Sequence, residues 1–320
     1  MLLPGSKIET AQVVVNCYDF FDRVFPECGL LDLTEGMYCG DPSIPYEQAQ
    51  SNQINWLLDE VDCVKGSRVL DIGCGNGSLL EAAQQRGAEA IGITISSAQV
   101  QRCRQRGLDA RLLNYRDIDK NWTGYFDGVI ANGSVEHFVQ PADILEGKAD
   151  AIYRELFQIC HRILNPASSV KRFVTTTIHT HATSPCINAK ELLKGPLAFR
   201  WGCEEFHYAL VQKGFGGFYP AEGQLAQCAE PYFRLLCEVD GTHDYHLTSE
   251  ACFKHVKQSL FRRTTGSRIW RRLLSFVMHH PRQGVILLIC LFIAESWQWQ
   301  FRGTNPPTRL LRQTWLFQTT

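Results

Sequence analysis

Between Arg68 and Ala83 the chain runs from an apolar pentapeptide, Arg68-Val69-Leu70-Asp71-Ile72, through Gly73-Cys74-Gly75-Asn76-Gly77 into Ser78-Leu79-Leu80-Glu81-Ala82-Ala83. The first run reads as a buried strand and the last as a helix start. Three glycines at alternate positions supply the tight backbone angles of such a reversal and let a ligand approach the main chain closely. The spacing is Asp-x-Gly-x-Gly-x-Gly, not the Gly-x-Gly-x-x-Gly of dinucleotide sites. Taken alone, the stretch is also compatible with a purely structural strand, turn and helix.

Its neighbours narrow the choice. Ala88 to Ile95 reads as a second strand, and it ends in Thr94-Ile95-Ser96-Ser97-Ala98-Gln99. Thr94 stands where many nucleotide-binding sheets carry an acid, and its hydroxyl can still bond a ribose hydroxyl. Ser96 or Ser97 can cap the following helix. The glycine turn resembles motif I of class I methyltransferases that use S-adenosylmethionine. Gly92-x-Thr94-x-Ser96 with Gln99 resembles a narrower group, the cyclopropane fatty acid synthase family, which includes the mycolic acid cyclopropane synthases.

Further segments extend that resemblance along most of the chain. They include Tyr18-Asp19, Met37-Tyr38-Cys39 and the helix start Tyr46-Glu47-Gln48-Ala49-Gln50, expected to run to about Val61. A third strand, Ala110 to Leu113, leads into Asn114-Tyr115-Arg116-Asp117, where the family has Asp-Tyr-Arg-Asp beside the adenine. A fourth, Phe126 to Asn132, leads into Gly133-Ser134-Val135-Glu136-His137-Phe138, matching a Phe-Glu-His segment. After a helix from about Lys148 to Leu164, a fifth strand spans Arg172 to Ile178. Here Thr176 stands where the family places a histidine, and His179 and His181 follow. Tyr219-Pro220-Ala221-Glu222-Gly223, Ala229-Glu230-Pro231-Tyr232-Phe233 and Asp244-Tyr245-His246-Leu247-Thr248 match later family segments.

The resemblance implies a doubly wound α/β sheet of about seven strands, mostly parallel with an antiparallel end, and Thr314 to Gln318 reads as its last strand. It implies S-adenosylmethionine as cofactor, contacted by Tyr38, Cys39, Asp71, Gly73, Cys74, Gly75, Gly77, Thr94, Ile95, Gln99, Asn114, Tyr115, Arg116 and Asn132. The catalytic candidates are Glu136, Tyr245 and His137, with a bicarbonate ion as a further base in the cyclopropane synthases. Glu136 is also a candidate by position, because ligands sit at the carboxyl edge of an open parallel sheet. A glutamate near a helix start can, alternatively, simply favour the helix dipole.

Residues 1–66 are expected to form a helical cover over the cofactor and 67–181 the binding core. Residues 182–320 are expected to hold an inserted lid, the rest of the fold, the substrate pocket and a basic helix. The lid, 182–219, carries Trp201, Phe206, His207, Tyr208, Phe215, Phe218 and Tyr219 among glycines.

The net charge of -1 hides an asymmetry. From Ala251 to Thr320 there are eleven Lys and Arg and one acid, Glu295, so the C-terminal end is basic and the body acidic. Trp270, Leu273, Leu274 and Val277 fall at helical spacing beside Arg268, Arg271 and Arg272. This reads as a basic amphipathic helix for an anionic membrane surface, an anionic substrate head group or solvent. Val285 to Ala294 is too short an apolar run to span a bilayer. No charged segment followed by an apolar one opens the chain, so no signal peptide is expected. Thirteen scattered cysteines without a Cys-x-x-Cys pair fit reduced thiols in a cytoplasmic protein, peripheral to a membrane if the basic helix binds one. Cys290 reads as a core residue.

The expected activity is methyl transfer, foremost to carbon of an alkene-containing lipid or isoprenoid-type acceptor. The alternatives are a small-molecule N-, O- or C-methyltransferase and a true cyclopropane synthase. A metal enzyme built on His179, His181, His243 and His246 is a weaker reading. Nucleic acid is not expected as substrate, because the Asn/Asp-Pro-Pro-Tyr type of motif is missing and Asn305-Pro306-Pro307 lacks the aromatic.

Overall fold

Seven strands form one sheet in the order β3-β2-β1-β4-β5-β7-β6. They are β1 (Arg68–Ile72), β2 (Glu89–Thr94), β3 (Asp109–Leu112), β4 (Gly128–Asn132), β5 (Arg172–Thr180), β6 (Phe233–Asp240) and β7 (Thr308–Phe317). The computed structural model describes residues 12–31, 33–181 and 188–319. β1 to β5 are parallel, whereas β7 runs antiparallel between β5 and β6. The expected doubly wound class I methyltransferase sheet is therefore present.

Side-chain alternation explains why both faces are covered by helices. Val69, Ile130 and Val174 are buried on one face with Leu57, Leu58, Leu79 and Leu80. Leu70, Ile72, Val129, Ala131 and Phe173 are buried on the other with Tyr153, Leu156 and Phe157. Strands apolar on both faces belong in the middle of a parallel α/β layer. The strand order reverses between β1 and β4, and the crevice at that switch point is where such sheets bind ligands.

A third apolar cluster joins the two ends of the chain. The N-terminal helix Gln12–Cys28 buries Val14, Cys17, Phe20, Phe21, Val24 and Phe25, an i, i+3, i+4 stripe. Phe20 meets Phe276 of the helix Arg263–His279 edge-on, with ring centroids 5.2 Å apart. Phe206, Leu210, Val211 and Phe215 of the helix Glu204–Phe215 join the same cluster. The expected lid thus divides. Its helix is part of the core, Trp201 is exposed, and residues 182–187 lie outside the described residues.

Two strands differ from the sequence expectation. β6 was not expected, because Arg234, Cys237, Glu238 and Asp240 are exposed on an edge strand and break its apolar pattern. β7 starts at Thr308, earlier than Thr314, because Arg312 and Gln313 interrupt the hydrophobic run. Both are nevertheless buried, and both are bonded: Arg312 Nη1 to Asp244 Oδ2 at 2.9 Å and Gln313 Nε2 to Glu238 Oε2 at 2.7 Å.

Candidate active site

The turn after β1 has Gly73, Gly75 and Gly77 at φ +88°, +52° and +86°. A Cβ on Gly73 would lie 2.6 Å from Cβ of Ser134, whose hydroxyl donates to the Ile72 carbonyl at 2.7 Å and ties the β1 and β4 turns together. A Cβ on Gly75 would meet no protein atom within 4 Å, because Gly75 faces a cavity of about 270 Å³. Gly77 instead faces the interior, where a Cβ would meet Leu108 and Cys103 at 2.7 and 2.9 Å. It shapes the turn and does not line the cavity.

Eleven of the expected cofactor contacts line this one cavity: Asp71, Gly73, Cys74, Gly75, Thr94, Ile95, Gln99, Asn114, Tyr115, Arg116 and Asn132. So do Glu136, His137 and Tyr245. Tyr38 and Cys39 do not. Tyr38 is buried against the helix Thr242–Leu260, its N–H donating to Asp244 Oδ1 at 2.9 Å, and Cys39 is exposed. The wall expected from them comes from Leu33, Thr34 and Glu35. Thr176 is buried under the β4 turn, where its hydroxyl donates to Asn132 Oδ1 at 2.6 Å and accepts from Gly133 N at 3.0 Å. It is not among the cavity residues, so the position of the family's histidine is structural here.

Thr94 also works differently from the expectation. Its hydroxyl donates to Gln99 Oε1 at 2.7 Å, so its one proton orients the buried glutamine and is not offered to a ribose. A carboxylate reaches this end of the cavity from another element. Asp22, on the N-terminal helix, accepts from Asn76 Nδ2 at 3.0 Å and pairs with Arg102 at 2.8 Å. Burial raises its proton affinity, with Arg102 opposing. Farther along, Tyr115 stacks on Phe138 with ring centroids 4.4 Å apart. Arg116 pairs with Glu155 at 2.9 Å.

Beyond the glycine turn the cavity becomes aromatic, walled by Tyr18, Phe21, Phe215, Tyr219, Tyr245 and Trp297. Glu136 is 3% exposed in this wall, and Oε2 has no hydrogen-bond partner. Burial, joined by the charge of nearby Glu35, raises its carboxyl to about 8. Glu35 is equally buried and accepts from Gln53 Nε2 at 2.9 Å. Burial raises Glu35 too, with Arg312 opposing. His137 is held at about 4 by burial, so its ring is neutral at ordinary pH. Tyr18, Asp22 and Glu35 were not site candidates from the sequence, whereas Phe215 and Tyr219 belong to the expected aromatic lid and do line the cavity. Asp22 and Glu35 carry no local sequence signal that marks them.

Cys290 is fully buried, with its thiol pushed up to about 12, in keeping with a core residue. The twelve described cysteines are free. Among the described residues no group of three or more His, Cys, Asp or Glu could hold a metal ion, and no helix is long and apolar enough to cross a membrane.

Known proteins share both the sequence and the architecture. A ubiquinone biosynthesis O-methyltransferase of Pseudomonas aeruginosa is 32% identical over 132 residues, 39% of this chain and 51% of that protein. The match therefore spans about half the length of this curated relative. The cyclopropane synthase MmaA2 of Mycobacterium tuberculosis superposes with a TM-score of 0.69 at 16% identity, over 95% of this chain and 97% of that one. The geranyl diphosphate C-methyltransferase of Streptomyces coelicolor A3(2) superposes at 0.60 and 17% identity, over 98% and 99%. The family described as mycolic acid cyclopropane synthetase matches residues 6–197, which hold the glycine turn, β1 to β5 and Glu136, and to that family the chain belongs.

Proposed function

We propose that this protein transfers a methyl group from S-adenosylmethionine to carbon of an alkene-containing lipid or isoprenoid-type acceptor, with Glu136 as the base. The observation that carries the reading is the unpartnered Oε2 of Glu136, buried in an aromatic wall of the same cavity that the glycine turn opens into.

The residues present fit S-adenosylmethionine. Gly75 offers close backbone approach, Asp71 and Gln99 offer polar atoms, and the Tyr115–Phe138 pair offers aromatic surface beside the turn. When bound, the cofactor supplies a sulfonium methyl to a nucleophile held in line. The chain's own work is positioning and proton removal. Methylation of an alkene carbon leaves positive charge on its neighbour, which the faces of Tyr18, Phe215, Tyr219, Tyr245 and Trp297 can stabilise. A C–H next to that charge must lose its proton, and the electron pair left behind restores the double bond. Glu136, in its carboxylate form, is placed to take the proton.

A bicarbonate base fits less well. Glu35 puts a second carboxylate beside Glu136, and Arg116, the Lys or Arg found among the described cavity residues, is already paired with Glu155. True cyclopropane synthesis is further disfavoured by the burial of Thr176 away from the cavity. A second reading, methylation of an amine, draws on the same two carboxylates, which suit a cationic nitrogen between aromatic faces. The related P. aeruginosa enzyme keeps oxygen acceptors in view.

Tritiated-methyl transfer from S-adenosylmethionine into an extract, partitioned between lipid and aqueous phases, identifies the acceptor class. Glu136→Gln should lower turnover by roughly two to four orders of magnitude, the size of a general-base contribution, with S-adenosylhomocysteine affinity retained. Wild-type turnover in that variant would make Glu136 structural. Label in the aqueous phase alone would favour the amine or oxygen acceptor, and stimulation by added bicarbonate would restore the bicarbonate version.

The acceptor's phase also bears on the basic helix. Trp270, Leu274 and Met278 are exposed at i, i+4, i+8 on the helix Arg263–His279, beside exposed Arg271. Contact of this face with an anionic membrane would bring a lipid acceptor to the enzyme.

A further inference from the structure

Two buried carboxylates lie near Gly133. A Cβ built there would lie 3.7 Å from Oε2 of Glu35 and 4.0 Å from Oε1 of Glu136, and both side chains line the cavity. Their surroundings differ. Glu35 Oε1 accepts from Gln53 Nε2 at 2.9 Å, and Gln53 Oε1 in turn accepts from Arg312 Nε at 2.7 Å. That guanidinium is 1% exposed and also bonds Asp244 and the Gly36 carbonyl. A donor with a cation behind it therefore supports negative charge on Glu35.

Glu136 has no cation behind it, only the backbone N–H groups of Glu136 itself and Ile178, and burial outweighs them. The groups around it are the phenols of Tyr18 from the N-terminal helix, Tyr153 from the helix Ala149–Ile163, Tyr219, and Tyr245 from the helix Thr242–Leu260. Its neighbour His137 is neutral, with its ring directed to Tyr18 and Gly216. Both carboxyls are buried, and the charge of Glu35 adds to burial in opposing ionisation of Glu136, so one of the two keeps its proton near neutral pH.

We propose that Glu35 and Glu136 share a single proton, with the charge resting on Glu35 and the proton on Glu136, and that Glu35 is thereby the positioning residue that sets the base strength of Glu136. The functional side rests on Glu136 being the base. The pairing itself stands on geometry and can be read without turnover. Glu35 never touches the acceptor's proton in this scheme. Its charge makes Glu136 a stronger base than an isolated buried carboxyl would be, and the molecules that turn over are those in which Glu136 has first released its own proton to solvent, so turnover should rise with pH up to about 8.

The test is carbonyl NMR of protein labelled with 13C at the glutamate side-chain carboxyls, with S-adenosylhomocysteine bound and resonances assigned from Glu35→Gln and Glu136→Gln. In the wild type the Glu136 resonance should move at about pH 8, and the Glu35 resonance should show an inflection at the same pH. In Glu35→Gln the Glu136 midpoint should fall by about one pH unit or more, because a like charge has been removed. An unchanged Glu136 midpoint overturns the proposal. Should Glu35→Gln fail to fold, the wild type decides alone: independent single-step curves for the two carboxyls overturn the pairing, and a shared inflection supports it. Wild-type turnover in Glu136→Gln would remove the base and leave the shared proton standing, so the two failures are distinguishable.

Discussion

The hydroxyl of Tyr18 lies 3.0 Å from Nε2 of His137, joining the N-terminal helix to the turn after β4. On the other side of the ring, Nδ1 lies 3.2 Å from the carbonyl of Gly216. A carbonyl only accepts, so Nδ1 carries the proton and Nε2 accepts from Tyr18. With both nitrogens engaged, His137 is a strut between three segments of the cavity wall and not a free proton carrier. Its 15N resonances should report one neutral tautomer from about pH 5 to about pH 8. Tyr18→Phe leaves Nε2 buried without its donor and should cost about 1–3 kcal/mol in urea unfolding. A ring that titrates within that range would refute the assignment.

Gly75→Val tests the cofactor loop. The residue sits at φ +52°, so a β-branched side chain is strained there by about 1–2 kcal/mol. Since a Cβ meets no protein atom within 4 Å, the fold should survive, with the added methyls projecting into the cavity. Calorimetry should show S-adenosylhomocysteine affinity reduced by about a hundredfold or more, equivalent to losing about 2.7 kcal/mol. Unchanged affinity in a folded variant would move the cofactor elsewhere.

The central strands and the glycine turn were legible because burial on both faces leaves a continuous apolar run, and because the turn needs glycine at fixed positions. Glu136 was legible because it follows a strand directly at the carboxyl edge. Asp22 and Glu35 were not, since they reach the cavity by the packing of a helix and a loop that sequence periodicity does not place. Tyr38 and Cys39 illustrate the converse. A matching tripeptide landed one loop away, and Asp244 took the Tyr38 N–H. Thr94 kept its position beside the cavity but turned its proton toward Gln99, a choice of partner that no spacing encodes.

The basic helix offers a surface test. Arg268 and Arg272 approach Glu27 at 3.3 and 2.8 Å, so part of the cationic face is already neutralised. Arg271 stands beside the exposed Trp270 and Leu274. Binding should therefore depend on both charge and apolar contact, with each cation near an acidic bilayer contributing about 1 kcal/mol. Vesicles rich in phosphatidylserine should carry the protein in flotation, neutral ones should not, and Trp270→Ala with Leu274→Ser should abolish the difference. Equal recovery with both vesicle types would leave this face to solvent.

Glu136 finally predicts how stability depends on pH. Its folded carboxyl, at about 8, lies above the ordinary 4.5 of an unfolded glutamate. Between those values the folded state holds a proton that the unfolded chain has released, so folding stability falls as pH rises through the window, by up to about 1.4 kcal/mol per pH unit. Glu35, raised in the same direction, adds to the fall. The opposite slope comes from His137 and His179, both at about 4 and below the ordinary 6.5, which erode stability as pH is lowered through that interval. Glu136→Gln carries no titrating proton at this site. Its urea midpoint should gain on the wild type from about pH 5 to about pH 8, while both proteins weaken alike toward about pH 4. Parallel midpoints across the whole range would mean that the Glu136 carboxyl ionises as freely in the folded chain as in the unfolded one, and the wall around it would then be open to water.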